Sequence, residues 1–308
     1  AYRFRIYPTE EQKILLGKTF GCCRFLYNQM LDDKIREYEK TKKMLKNTPA
    51  MYKREYLFLK EVDSLALANV QLHLEKAYKN FFRDPKIGFP RFKSKHHSRN
   101  SYTTNVVNGN ILVESKKIRL PKLKWIAMKK HRESAEGLRL KSVTVSMEPS
   151  GKYFASLLYE GYSCENQAAE PDYSTAKILG IDYAMQGMAV FSEKIETEEA
   201  GFFRKNEKRL AREQRKLSRC VRGSHNYELQ KKKVARCHEK IRNQRRDHLH
   251  KLSRKIADSY DAVAVEDIDM KAMGQCLHFG KSVQDNGYGL FRKMLDYKLA
   301  WQGKKMVK

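Results

Sequence analysis

Lys177-Ile178-Leu179-Gly180-Ile181-Asp182 and Asp261-Ala262-Val263-Ala264-Val265-Glu266 decide how the second half of this chain folds. Each is a short apolar run with no helical period, and each ends on a carboxylate. Such runs read as buried strands. In a mixed α/β sheet, adjacent strands carry their terminal side chains to one edge, so Asp182 and Glu266 are expected to meet there. Converging carboxylates in a basic protein repel unless a divalent cation lies between them. Two Mg²⁺ ions about 4 Å apart would activate a water and stabilise the leaving oxygen of a phosphodiester. Carboxylate oxygens suit Mg²⁺, a hard cation. Each motif alone also fits a plainer role. An Asp at a strand end is commonly a helix cap or turn residue, and Glu266, Asp267 and Asp269 would serve as a solvated acidic loop.

Outward from these strands, Gln186–Phe191 reads as the return strand after Asp182. Residues 201–258 then change character, with Lys and Arg outnumbering Asp and Glu by more than three to one. Val221-Arg222-Gly223-Ser224 interrupts this segment. Gly223 suits a helix C′ position and Ser224 an N-cap, which predicts two helices joined by a tight turn. The second carries a narrow apolar stripe, Val234, Ile241, Leu249, Leu252 and Ile256. The charge imbalance exceeds what i,i+4 pairs can satisfy, so the hairpin reads as a phosphate-tracking surface. Its contact residues would be Arg204, Lys208, Arg212, Arg215, Arg219, Lys231, Lys232, Arg242 and Arg245. Asp285-Asn286-Gly287 makes a turn, a helix follows from about Tyr288 to Trp301, and Lys304–Lys308 opens one more strand. An early Gly-x-Asp strand also occurs in actin-like ATPases, but no second Gly-rich phosphate loop follows here.

In the first half, Tyr2/Phe4/Ile6 alternate with Arg3/Arg5/Tyr7, giving a strand with an apolar and a basic face. Pro8 ends it, and Thr9-Glu10-Glu11-Gln12 reads as a capping box opening a helical region to about Phe82. After Ser64, Leu67, Val70, Leu74, Ala77, Tyr78 and Phe81 make one buried helix face. Asn69, His73, Lys76 and Asn80 form the opposite, polar stripe. Gly88-Phe89-Pro90-Arg91-Phe92-Lys93-Ser94-Lys95 breaks the helical pattern and interleaves aromatics with cations, which suits bases and phosphates. From about Ser101 to Glu160 short runs at Asn110–Val113, Lys117–Leu120, Leu140–Met147 and Lys152–Tyr159 predict a small barrel or strongly curved sheet. Residues 161–175 read as a linker.

Composition narrows the partner. The 308 residues carry 63 Lys+Arg against 36 Asp+Glu, a net charge of +27. Self-repulsion of that size is offset by an anionic partner, and nucleic acid fits because neutralised phosphates release counterions. No apolar run approaches a spanning helix, so no membrane role is expected. Cys22, Cys23, Cys164, Cys220, Cys237 and Cys276 form no C-x-x-C pair and read as reduced cytosolic thiols. Zinc held by Cys220, Cys237 and His238 would need a spacing unlike known knuckles.

Ala1–Gln12 (AYRFRIYPTEEQ), Gly88–Lys95 (GFPRFKSK), Ile118–Leu123 (IRLPKL), Lys141–Tyr153 (KSVTVSMEPSGKY), Gly180–Met188 (GIDYAMQGM), Val263–Met273 (VAVEDIDMKAM) and Phe279–Leu290 together resemble the TnpB family. These are transposon-encoded RNA-guided DNA nucleases, relatives of the type V CRISPR effectors, and the resemblance spans nearly the whole chain. It implies a mixed multi-domain fold. Residues 1–8 would give the first strand of a wedge-type β-barrel, 9–87 an inserted helical recognition domain, and 88–170 the rest of the barrel. Residues 171–308 would form an α/β RNase H-like (RuvC) nuclease domain bearing the basic hairpin.

By position, Asp182 and Glu266 correspond to the first two RuvC carboxylates and would be the catalytic metal ligands for two Mg²⁺ ions. Asn69, His73 and Lys76 fall where the family reads a short motif flanking its DNA target. Arg3, Arg5, Arg91, Lys93 and Lys95 join the hairpin cations as expected nucleic-acid contacts. The implied partners are a guide RNA and target DNA, in the prokaryotic cytosol at the nucleoid. The family's third RuvC aspartate and its zinc ribbon lie beyond residue 308, so Zn²⁺ is expected only in that ribbon, and the 308-residue chain is expected to cleave weakly or not at all. The alternative is a cleavage-deficient RNA-guided DNA-binding protein acting as a repressor. A DNA-only transposase leaves the wedge-like barrel without a role.

Overall fold

Phe4 and Ile6, each 1% exposed, are the inward side of strand β1 (Tyr2–Tyr7). In this computed structural model, which describes residues 1–134, 137–161, 175–184, 188–195, 201–268 and 285–307, β1 lies mid-sheet. Its neighbours are β5 (Lys124–Lys129) and β7 (Tyr153–Glu160), both antiparallel. With β2 (Asn100–Asn105), β3 (Leu112–Val113), β4 (Lys117–Leu120) and β6 (Arg139–Met147) the order is β2-β6-β7-β1-β5-β4-β3. No pairing joins β2 to β3 among the described residues, so the ladder is that of an open sheet. The chain divides into two units, residues 1–162 and 163–308. The expected linker, 161–175, lies mostly outside the described residues, as do Cys164 and Cys276.

Helix α1 (Glu10–Thr41) begins with the expected capping box. Thr9 Oγ1 accepts from the Gln12 amide, and the Thr9 amide donates to Gln12 Oε1 at 3.0 Å. Gln12 Nε2 also donates to the carbonyls of Leu123 and Trp125, which ties the helix start to β5. After the short helix α2 (Pro49–Glu55), α3 (Ser64–Arg83) is capped by Asp63, whose Oδ1 accepts from the Leu65 amide. Its Oδ2 accepts from Thr104 Oγ1 on β2 at 2.5 Å, so one buried carboxylate fixes helix to sheet. Leu16, Leu26 and Met30 of α1, Leu67 and Leu74 of α3, and Ile118, Val143 and Leu157 of the sheet form one core. Burying each of these side chains stabilises the fold by about 1.5–3 kcal/mol. The helices therefore share their core with the sheet. The strand expected at Asn110–Val113 shrinks to Leu112–Val113, because Asn110 Oδ1 turns the chain by accepting from the Val107 amide.

The second unit holds a four-stranded sheet, β8 (Ile178–Ala184), β9 (Met188–Phe191), β10 (Ala262–Val265) and β11 (Lys305–Val307), in the order β11-β10-β8-β9. β10 runs parallel to β8 and β11, and β9 is antiparallel to β8. Both decisive strands are buried on one face only, contrary to the expectation of full burial. Leu179, Ile181, Val263 and Val265 pack into the core, while Asp182 and Ala264 are exposed. Helices α4 (Phe202–Ser218) and α5 (His225–Ser259) form the expected hairpin, and α6 (Tyr288–Trp301) follows. Ser224 caps α5 as expected, but α4 ends at Ser218, so Gly223, at φ +83°, serves the turn and not a C′ position. Of the predicted stripe, Ile241, Leu249, Leu252 and Ile256 are buried and Val234 half-buried.

Lys298 on α6 is buried without a carboxylate partner in its hydrogen bonds. Its Nζ donates to the His250 carbonyl and Ser253 Oγ of α5 at 2.6 and 2.7 Å. Burial, helped by Arg254, holds this amine below the ordinary lysine value of 10.5. The folded protein therefore gives up this proton more readily than the unfolded chain. The associated stability is fully present above the unfolded pKa and is lost as pH falls through the folded one. The stability difference between Lys298→Met and wild type is expected to shift in favour of wild type as pH rises toward 10, because wild type alone sheds the cost of a buried charge. Thermal melts of both proteins from pH 7 to 10 check this; a difference that shifts in favour of the variant as pH rises contradicts it.

Candidate active site and nucleic-acid interface

Parallel pairing of β8 with β10 sets Val265 opposite Ile181, which brings the next residues, Glu266 and Asp182, side by side. The Glu266 amide donates to the Ile181 carbonyl at 3.4 Å, continuing the ladder one step past the strand. Strand alternation then turns both carboxylates to the uncovered face. They line an open trough with Gly180, Val190, Ser192 and Ala264. The sequence prediction that the two acids meet is what the fold delivers.

The trough's electrostatics follow from that meeting. The Glu266 carboxyl is raised from its usual range, first by its hydrogen bond with Asp182, then by burial and by the Asp182 charge; the Tyr183 backbone opposes the shift. Two carboxylates in hydrogen-bond reach, both oxygen donors, fit a hard divalent cation. Among the described residues no third His, Cys, Asp or Glu joins them. Asp267 pairs with Arg292 at 3.3 Å, and Arg292 also donates to the Glu266 carbonyl. Arg292 thus holds the turn that carries Glu266, a role the sequence does not announce. Asp269 lies outside the described residues.

Asp285, 3% exposed, joins three elements. Its carboxylate accepts from the Phe203 and Arg204 amides at the start of α4, and from Arg245 Nη2 of α5 at 3.0 Å. Gly201 supplies no side-chain cap to α4, so Asp285 does. The adjacent Asn286 Nδ2 donates to the Ala184 carbonyl, two residues after Asp182. Hairpin and carboxylate strand are thereby referred to one point.

The hairpin cations Arg204, Lys208, Arg212, Arg215, Arg219, Lys231, Lys232 and Arg242 are exposed, and Arg245 instead faces Asp285. On β1, Arg3 bonds Glu148 at 2.6 Å and lies 3.9 Å above the Phe154 ring, while Arg5 lies over Tyr7. Arg91 and Lys95 are exposed.

A second concavity, of about 190 Å³, lies in the first unit. Asn69 and His73 of α3 line it with Lys93, Arg24 and Arg99. Lys93 Nζ sits 3.8 Å from the Tyr27 ring centroid. Partial desolvation holds His73 below its usual value, with Lys93 and then Lys76 pushing the same way. Asn69 departs from the exposed polar stripe expected for it: it is buried, and its Nδ2 donates to the Leu65 carbonyl. Lys76 is exposed and does not line the cavity. Arg24 escaped the sequence reading, although it is the sole cation between Lys18 and Lys34 on an otherwise largely apolar helix.

Cys22, Cys23, Cys220 and Cys237 are free thiols. No helix among the described residues is long and apolar enough to cross a membrane.

Fold and site together define a basic, mixed α/β protein with paired carboxylates at the ends of adjacent parallel strands. Residues 161–276 match the OrfB_IS605 family model, described as "Probable transposase", and residues 1–43 match HTH_OrfB_IS605, a helix-turn-helix domain. Here the latter segment is a strand and one unbroken helix. A Streptomyces pristinaespiralis protein named "Putative RNA-guided DNA endonuclease" is 32% identical, over 100% of this chain and 76% of its own length. An Escherichia coli K12 protein, "Putative RNA-guided DNA endonuclease InsQ", is 30% identical over 98% of this chain and 78% of its own. The chain belongs to the IS605 OrfB/TnpB family. Its fold is similar to the Cas12f1 chain of a cryo-EM Cas12f1-sgRNA-target DNA complex, with a TM-score of 0.54 at 14% identity, covering 97% of this chain and 73% of that one.

Proposed function

We propose that this protein is an RNA-guided DNA endonuclease with RuvC-type chemistry. The observation that carries the reading is the in-register pairing of Asp182 and Glu266 on adjacent parallel strands. Those two residues would hold the catalytic Mg²⁺, which when bound would supply Lewis-acid activation of water and stabilise the leaving oxygen. Arg292 fixes the backbone that presents Glu266, and Asn286 fixes the end of the strand that presents Asp182. The exposed hairpin cations hold the phosphates of the guide–target duplex. Guide pairing reads sequence while the protein reads backbone and a short flanking motif. The cavity of Asn69, His73 and Lys93 is the flanking-motif reader, within a wedge sheet and recognition helices at 1–8, 9–87 and 88–170; the nuclease domain is 171–308.

A guided repressor that does not cleave is the second reading. It draws on the described site holding two carboxylates and no third ligand.

Both readings require a guide. Protein purified natively at moderate salt is expected to carry a structured RNA, seen in its A260/A280 ratio and recoverable by sequencing. Absence of bound nucleic acid, together with failure to bind added RNA, removes both.

A further inference from the structure

The far end of α3 carries an aromatic cluster that runs from the core, through Tyr78, out to the surface and that the carboxylate site does not use. Tyr78 and Phe82 stack at 6.1 Å, one helical turn apart. Asp84 caps a short 3₁₀ turn at Pro85–Ile87, and Gly88, at φ +87°, reverses the chain. That reversal lands Phe89 on Tyr78 and Phe81, at 5.5 and 5.4 Å. Tyr78 is buried, but Phe82 remains 64% exposed and Phe89 44%. The rings are therefore locked in place by neighbours while two of them face solvent. The immediate surroundings are cationic. Lys79 and Arg83 occupy the helix row beside Tyr78 and Phe82, and Lys86 and Arg91 flank the turn. All four are exposed, and none makes an ion pair among the described residues. From residue 76 to 99 the one acidic residue is Asp84, already engaged as a cap.

The geometry points to a stacking platform for unpaired nucleotides, with bases on Phe82 and Phe89 and phosphates on the surrounding cations. Charge complementarity selects this occupant. A protein partner for so basic a rim would need to be acidic throughout, whereas a single strand brings flat π faces and a phosphate per base. The cost of ordering the rings is already met by Tyr78 and Phe81, so stacking gains are not spent on immobilising them. A duplex keeps its internal bases stacked and offers free faces only at its two ends, so the platform favours single strands over double. It stands independently of the guided-nuclease reading, because it needs neither a guide nor the carboxylates.

The test uses the 308-residue chain and a short oligo(dT), with a blunt duplex of equal length as control. Phe82→Ala with Phe89→Ala is expected to weaken oligo(dT) binding at least about fivefold, the low end for losing one stacked base, and to leave duplex binding and the salt slope unchanged. Lys79→Gln with Arg83→Gln should instead reduce the salt slope. If the double alanine variant folds poorly, Phe82→Leu keeps the apolar contact and removes the flat ring, and should still weaken oligo(dT) binding. Phe82→Trp should restore binding and show fluorescence quenching on oligo(dT) addition. Unchanged oligo(dT) affinity in folded Phe82→Leu, equal loss for duplex and single strand, or loss of concentration-dependent self-association in place of oligo binding each overturns the proposal.

Discussion

Asp182→Ala is expected to abolish Mg²⁺-dependent cleavage by the guide-loaded full-length protein, a loss of more than about a hundredfold, while guided DNA binding survives. On the proposed reading, binding would rest on base pairing and on the exposed cations of α4 and α5, none of which lines the trough. Attack on phosphate would need the metal that Asp182 and Glu266 are proposed to hold together. Asp182 is itself exposed and caps no helix of the described chain, so its removal should leave the melting temperature unchanged. A structural role for Asp182 predicts the opposite pattern, with lower stability and binding and cleavage lost together. Cleavage assays, equilibrium DNA binding and thermal melts on one preparation separate the two.

Asp285→Ala should destabilise the second unit by about 3 kcal/mol, the scale for removing one partner of a buried ion pair. The substitution leaves Arg245 facing a cavity and the first amides of α4 without their acceptor. Asp285→Asn keeps an acceptor and loses the charge, so it should fall between wild type and alanine. Arg245→Met combined with Asp285→Ala should cost less than the sum of the two single changes, because the unpaired guanidinium is gone. Hydrogen exchange should accelerate first at Phe203 and Arg204. A melting temperature unchanged in Asp285→Ala would remove the latch from the account.

What could be read in the sequence followed short-range rules. The Thr9/Gln12 capping box, the Ser224 cap, the Tyr288–Trp301 helix and the Asp182–Glu266 meeting each depend on local pattern plus one assumption, strand adjacency. β2 is hard to read because NSYTTN has no aliphatic residue, and β5 because the apolar run Trp125–Met128 shows no alternation; Tyr102 and Thr104, and Ile126 and Met128, supply the inward sides. One-sided burial of β8 and β10 was hidden by their small residues. Gly180 and Ala264 look apolar in sequence, yet they lie on the open face. Asn69 shows the reverse case. A polar residue at a helix position flanked by apolar neighbours reads as solvent-facing, but its back-bond to Leu65 satisfies the amide and lets it sit inside a polar cavity. Arg292 and Asp285 act over 26 and 82 residues of sequence, through contacts that no local spacing encodes.

If the Asp182–Glu266 pair cuts DNA under RNA guidance, Glu266→Gln should separate binding from cleavage. Glutamine is nearly isosteric and keeps hydrogen bonding to Asp182, so folding and guide loading should match wild type, while the negative charge a hard cation needs is lost. The measurement is Mg²⁺-dependent cleavage of a guide-matched DNA by loaded wild type and Glu266→Gln, each scored for bound RNA and bound target. The expected result, in the full-length protein, is cut DNA with wild type and bound but intact DNA with Glu266→Gln. Full cleavage by Glu266→Gln, with its RNA and target binding equal to wild type, would contradict it.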